Sequence, residues 1–321
     1  MNTTIKNILF NTIKIAGASS LSILFATFIN LDFAVSAGII TILTIQPTKK
    51  ETLQTALGRF YAFVTALIIA FISFSLLGYT LAAFMLYLFL FILTCQIFGW
   101  YSSMAMNSVL ISHFLTFADI NFTSVSNEIL IFILGVGMGI LANLHLHKNT
   151  DYILKLQQET DEQMKQILKK MSERILNPNV SDYNEKSFQD LKSSILKART
   201  FADTNYKNQL NTNDTYDIDY IQMRDKQYHV LYEMYKNACM LKTTPVTAKI
   251  ISDLFLEISI SYHRENTAEE LLAHFYEIRN EMKNKPLPTN RKEFEDRARL
   301  FILLNYTEEF LIIKQKFMGK Y

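Results

Sequence analysis

His113 is the only histidine well inside the apolar first half of the chain, and a side chain with an ordinary pKa of ~6.5 suits taking up and releasing a proton there. Asn107, Ser112 and Asp119 lie close to it in sequence and would extend a polar track. Asn107 and Asp119 do not both share the face of His113 at a 3.6-residue period, so a packed, hydrogen-bonded histidine fits the spacing equally well. Arg59 is the best-placed cation to meet a carboxylate. It fits as well as a topology anchor whose guanidinium reaches up to lipid headgroups. In Gln46-Pro47 the proline stops a helix, and the Gln46 amide is available to a substrate or to the backbone groups the proline frees. His145 and His147, two residues apart, would face different ways on a helix and do not make a metal site. There is no phosphate-binding glycine loop, serine nucleophile elbow or zinc-protease helix, so the sequence points away from an enzyme and implies neither cofactor nor metal. Together these residue types could hold a proton and meet an anionic group in apolar surroundings.

The elements that must hold them follow from where charge is missing. Between Lys14 and Lys148 the only basic residues are Lys49, Lys50 and Arg59, and the only acids are Asp32, Glu51, Asp119 and Glu128. Apolar stretches recur at Ile13–Ile29, Phe33–Ile45, Phe60–Leu77, Thr80–Phe98, Ser102–Phe117 and Ile129–Leu146, most of them near the ~20 residues a membrane-crossing helix needs. The second stretch is too short to cross a ~30 Å hydrocarbon layer as a straight helix and is expected to be short, tilted or re-entrant. The apolar run through Val35-Ser36-Ala37 continues to Ile45, which indicates a retained helix rather than a cleaved leader. Lys6, Lys14, Lys49, Lys50, Arg59 and Lys148 sit at alternate ends, while the turns at Asn30–Asp32, Gly78 and Ala118–Glu128 carry no basic residue. The basic ends are therefore expected in the cytoplasm, and everything after Lys148 with them. Gly135 and Gly139 lie four apart on the last span, where a neighbouring backbone can approach closely.

After Lys148 charge becomes dense and even. Amphipathic helices are expected from Tyr152 to Ile175, and then over Asp182–Leu210, Asp217–Leu241, Pro245–Tyr262, Ala268–Lys283 and Arg291–Phe317. The first of these would continue the last span out of the membrane. Asn177-Pro178-Asn179, the run Asn211 to Asp214, a capping box at Thr267-Ala268-Glu269-Glu270 and Pro286-Leu287-Pro288 mark the breaks. Tyr228, Tyr232 and Tyr235 fall at helical spacing. They would line a pocket for a flat aromatic ligand or, as tyrosines on amphipathic helices more commonly do, edge the core. The net charge of +2 is uninformative on this point, but no basic stripe interleaved with aromatics appears, so nucleic acid is not an expected partner. Cys95 and Cys239 fall in different environments, which excludes a disulfide framework. The expected architecture is all-α: an integral membrane helical bundle of about six helices over residues 1–148, followed by a soluble cytoplasmic helical domain over 149–321.

The run Ser36-Ala37-Gly38-Ile39-Ile40-Thr41-Ile42-Leu43-Thr44-Ile45-Gln46-Pro47-Thr48-Lys49-Lys50, with Thr55-Ala56-Leu57-Gly58-Arg59 after it, resembles the bacterial aromatic acid exporter family, itself distantly similar to fusaric acid resistance proteins. The tail Leu287-Pro288-Thr289-Asn290-Arg291-Lys292-Glu293-Phe294-Glu295-Asp296-Arg297-Ala298, with Leu304-Asn305 and Glu308-Glu309-Phe310-Leu311, is similar to that family's cytoplasmic C-terminal domain; Asn290 and Lys292 depart from its usual Thr and Glu. The resemblance implies a secondary exporter of small aromatic or other organic acids in the cell membrane. The longer relatives carry two membrane halves, so a single half implies a homodimer or higher oligomer. The alternative is a membrane-tethered oligomeric binding, scaffold or sensor protein whose cytoplasmic bundle is the working part.

Overall fold

Long runs of Leu, Ile, Phe and Ala with almost no charge leave the backbone no partner but itself, and the first 144 residues fold accordingly into helices whose outer faces are apolar. The computed structural model describes residues 3–144, 150–179, 185–210 and 214–321, and no strand occurs among them. Clustering of the chain gives two compact units, one of Met1–His147 with Lys207–Asn211, the other of Lys148–Tyr206 with Thr212–Tyr321.

The first unit contains α1 (Thr3–Phe28), α2 (Val35–Thr44), α3 (Lys49–Leu77), α4 (Leu81–Phe98), a 3-10 turn at Tyr101–Ser103, α5 (Met104–Phe117) and α6 (Phe122–Leu144). Among the described residues, four helices are long and apolar enough to cross a membrane: the Ile8–Phe28 part of α1, α3, α4 and α6. The side chains they turn outward, such as Leu24, Ile68, Phe89 and Ile133, are exposed and apolar, as contact with lipid requires.

The second apolar stretch is indeed short, with only ten helical residues, or about 15 Å. Its extended flanks lengthen its reach. Asp32 bonds to Asn127, Ala37 and Ile40 lie against Gly135, Thr41 and Thr44 against Gly139, and Gln46 bonds to Asn143. Residues 32–46 thus run parallel to α6 from Asn127 to Asn143, about 24 Å of its length. A Cβ on Gly135 would stand 2.5 Å from Ile40 Cβ and 2.8 Å from the Ala37 carbonyl, and one on Gly139 2.6 Å from Thr44 Cβ. Ser36, Thr41 and Thr44 of α2 are buried between α1 and α6; Thr41 donates to the Ala37 and Gly135 carbonyls at 2.9 and 3.1 Å, and Thr44 to Ile40 at 2.7 Å.

The last span starts earlier than its apolar run suggests. Asn121 Oδ1 accepts from Ser124 N at 2.9 Å while Ser124 Oγ accepts from Asn121 N at 3.0 Å, a reciprocal cap that starts α6 at Phe122. Glu128 therefore lies in the second turn of a helix, not in a turn between spans.

The second unit holds α7 (Thr150–Leu176), α8 (Lys186–Lys207), α9 (Tyr216–Cys239), α10 (Ala248–Ser261), α11 (Glu269–Lys283) and α12 (Arg291–Met318). One hydrophobic core, including Leu168, Ile195, Leu231, Phe255, Phe275 and Phe310, joins all six. α10 starts at Ala248, three residues beyond Pro245, whose carbonyl accepts from Ala248 N. The capping box expected at Thr267 does not form. Ala268 is the N-cap residue, in the left-handed region at φ 63°, and Asn266 Oδ1 takes its N–H at 2.6 Å. Residues 145–149, 180–184 and 211–213 lie outside the described residues. With them lie the His145 and His147 pair, the Lys148 flank, the continuity from the last span into α7, the expected start at Asp182 and the turn formers Asn211 to Asn213.

Candidate functional site

Two polar clusters occupy opposite ends of α2. At its C-terminal end the last carbonyls lack helical partners and need donors. Arg59, on the second turn-pair of α3 and 2% exposed, donates from NH2 to the Leu43 carbonyl and from NH1 to Thr44 Oγ1, both at 2.8 Å. Gln46 Nε2 donates to the same Leu43 carbonyl at 3.1 Å, and the exposed Pro47 follows where the chain leaves α2. Asn143 at the end of α6 donates to the Gln46 carbonyl at 2.6 Å and to Thr52 Oγ1 at 2.5 Å, and accepts from Lys14 Nζ at 3.0 Å. Cations at a helix C-terminus complement its dipole, and this end is closed by them.

The N-terminal end is built differently. His113, on α5, places Nδ1 2.9 Å from Glu128 Oε2 and Nε2 3.3 Å from Ser36 Oγ at the start of α2. Glu128 is completely buried, and Asn127 Nδ2 donates to its other oxygen at 3.1 Å. Phe33 lays its ring parallel to the imidazole, centroids 4.0 Å apart, and does so from a left-handed backbone at φ 56°. A bulky residue is strained in that conformation, by about 1–2 kcal/mol, and holds it only where its surroundings fix it. Beside the pair, Asp32, Asp119, Asn121 and Asn127 line a cleft of about 540 Å³. Asn127 belongs to both, because its amide also holds the Asp32 backbone, accepting at 2.9 Å and donating at 3.2 Å.

Gln46, Pro47 and Arg59 thus gather at one end of α2, and His113 sits at the other. Asp119 is exposed on the cleft rim, where its carboxylate accepts from Asn121. Asn107 is wholly buried on α5, and neither its amide oxygen nor its nitrogen has a hydrogen-bond partner among the described residues. Glu128 is the member the sequence reading missed. The signals available were its rarity, as one of four acids in the whole apolar half, and the Asn121-x-x-Ser124 cap that makes its segment helical.

The N-terminal unit, residues 6–146, matches the family model for aromatic acid exporter family member 1, and residues 151–315 match the aromatic acid exporter C-terminal domain. The chain belongs to the aromatic acid exporter family. It is 29% identical over 310 residues to the uncharacterized protein YqjA of Bacillus subtilis strain 168, covering 97% of this chain and 96% of that one. A crystal structure of a membrane protein from Clostridium difficile 630 aligns at 27% identity with a TM-score of 0.47, over 52% of this chain and 99% of that chain. This family member is therefore a membrane protein of a transporter type, with its apolar helices in contact with lipid.

The exporter's second unit carries its own buried polar network. Arg224 is fully buried; its Nε donates to Asp161 Oδ1 at 2.8 Å, NH2 to the Tyr220 hydroxyl at 2.8 Å, and NH1 to the Tyr262 hydroxyl at 2.5 Å and to Gln227 Oε1 at 2.7 Å. Burial alone would favour loss of its charge, but the Tyr262 and Tyr220 hydroxyls and the Asp161 carboxylate outweigh that and raise its pKa. Tyr228, Tyr232 and Tyr235 pack around Phe188, with ring centroids 6.1, 5.2 and 4.8 Å away, and so edge the core.

Proposed function

We propose that this protein exports small aromatic or other organic acids across the cytoplasmic membrane, exchanging them for protons taken up at the His113–Glu128 pair. The observation that carries this reading is that pair: a wholly buried carboxylate against a titratable imidazole, inside the lipid-facing unit of a member of an exporter family. Ionisable groups are costly inside a membrane unit, and this one is tied directly to α2 through Ser36. While His113 is protonated and Glu128 ionised, the contact is charge-assisted and holds the N-terminal end of α2. A proton added to Glu128 from the Asn127 side removes the carboxylate charge and weakens that hold. Arg59 holds the other end of α2 through its two terminal nitrogens, bound to the Leu43 carbonyl and Thr44.

The distribution of Lys and Arg supports a cytoplasmic C-terminal unit, and analogy with relatives that carry two membrane halves supports a homo-oligomer as the working form. The test is flux. Purified protein in lipid vesicles, given a panel of aromatic acids including benzoate and 4-hydroxybenzoate, should move at least one of them in response to an imposed pH gradient. Glu128→Gln should remove the pH-driven component while the protein remains monodisperse in detergent. Failure of every acid in a broad panel to move would overturn the reading. Labelling of Cys239 by an impermeant thiol reagent in intact cells would overturn the orientation.

A further inference from the structure

We infer that α12 pairs antiparallel with α12 of a second copy of this chain, across a two-fold axis, through an apolar stripe that the C-terminal unit leaves open to solvent. This names a surface for the homo-oligomer proposed above and rests on that reading. Leu300, Leu303, Leu304, Thr307, Phe310 and Leu311 turn one face of α12 into the core. On a surface helix the opposite face is ordinarily polar. Here it carries Phe294, Ala298, Phe301 and Ile302, all exposed, followed by Asn305. Phe294 is 61% exposed, Phe301 50% and Ile302 41%, whereas α7 and α9 of the same unit turn no large apolar side chain to solvent among the described residues. Single exposed apolar residues are ordinary, but a contiguous stripe of them marks an interaction surface.

The charges beside the stripe identify the occupant. Arg291 and Glu309 stand at its two ends, about five helical turns apart and therefore on the same flank. The Arg291 side chain is 91% exposed; its Nε donates to Glu295 at 3.0 Å, and its two terminal nitrogens bond to none of the described residues. The exposed Glu309 carboxylate has no hydrogen bond or ion pair among the described residues. A second α12 laid antiparallel, with Phe301 over Ala298, puts Phe294 over Asn305 and Arg291 beside Glu309, and the two-fold axis makes each contact twice. Large then faces small, and cation faces anion. A parallel, in-register pair would instead set Arg291 against Arg291 and Glu309 against Glu309. A bilayer surface fits less well, because anionic headgroups select a surplus of cations, and the stripe is flanked by Arg291 and Lys316 against Glu295 and Glu309.

From Phe294 to Asn305 the stripe is about 16 Å long, so it covers much less than the ~800 Å² per partner of a complex that stands alone. A contact of this size holds between copies that share a membrane and are already kept close, where pairing is effectively intramolecular. The surface is thus a contact inside an assembled protein.

The test uses the full-length protein in lipid vesicles. In Arg291→Lys, a zero-length carbodiimide should join the introduced amine to Glu309 of the second copy. Within one chain the two positions lie about 27 Å apart along α12, out of that reagent's reach. Phe301→Asp in the same background should reduce the crosslink by roughly tenfold or more, since it sets a charge against an apolar partner. Arg291→Glu and Glu309→Arg should each weaken association of the copies, read by dilution in detergent, by roughly threefold or more, and the two together should restore it. These side chains are exposed, so far-UV circular dichroism should not change in any of the variants. An oligomer without the crosslink, or one whose association ignores Phe301→Asp and both charge reversals, would overturn the inference while the homo-oligomer reading stands. A wild-type chain that is monomeric in vesicles would overturn both. A crosslink yield that follows the content of anionic lipid and ignores the charge exchange would assign the stripe to the bilayer surface and overturn the pairing.

Discussion

The two ends of α2 solve the same problem with different chemistry. At the C-terminal end, freed carbonyls and hydroxyls are met by Arg59, Gln46 and Asn143, with Lys14 behind them. Amides do not titrate, so the bonds that Gln46 and Asn143 make do not depend on protonation. At the N-terminal end Ser36 meets His113 of α5, which in turn meets Glu128 of α6, and an imidazole and a carboxylate are groups that can exchange protons. The left-handed Phe33 and the open cleft beside Asn127 occur at this end. On the proposed reading one end serves as an anchor and the other as a latch for α2.

Both ends depend on the close packing of α2 against α6, so the largest effect is expected at Gly135. Its Cβ position is 2.5 Å from Ile40 Cβ and 2.8 Å from a backbone oxygen, neither of which can swing away. Gly135→Leu should cost about 3 kcal/mol or more, the upper end for overpacking, and be read as loss of monodisperse protein in detergent. Arg59→Leu removes two charge-assisted bonds from the end of α2 and should cost about 2–3 kcal/mol in thermal melting. Flux per folded molecule should survive it. An unchanged melting curve with abolished flux would instead make Arg59 a substrate ligand. Phe33→Gly loses the ring on His113 but relieves the strained backbone, so stability should change by less than about 1 kcal/mol. Its effect should be read in the pH profile of flux, which would stay fixed if Phe33 were only packing.

Much of this was legible in the residues. The shortness of the segment after Asp32 is a matter of counting apolar positions, and charge density alone separates the apolar first half of the chain from the polar second. The candidate residues were legible as types but not as neighbours. Arg59 reads as a free cation because the carbonyl it serves, Leu43, lies sixteen residues away and is brought to it only by the turn at Pro47. Glu128 was hidden by treating residues 118–128 as a turn, when a Thr- and Ser-containing first turn of α6 already follows its cap at Asn121. The network around Arg224 takes Tyr220, Arg224 and Gln227 from one face of α9, but its other members, Asp161 on α7 and Tyr262 after α10, come from elsewhere, and no spacing within α9 encodes those.

The smallest effect separates the rim of the latch from the latch itself. Asp119 is exposed, and its carboxylate touches only Asn121, two residues on. Water already solvates its charge, so Asp119→Asn should change stability by less than about 0.5 kcal/mol. If the cleft merely admits water and protons, flux should fall by less than about twofold. Asn127→Leu, one helical residue from Glu128, removes both the bond to the buried carboxylate and the tie to the Asp32 backbone, and should lower pH-driven flux by about tenfold or more. Measured side by side in vesicles, the two variants decide where coupling begins. Equal losses would move the proton's first contact outward to Asp119, while a loss confined to Asn127→Leu keeps it at the buried pair.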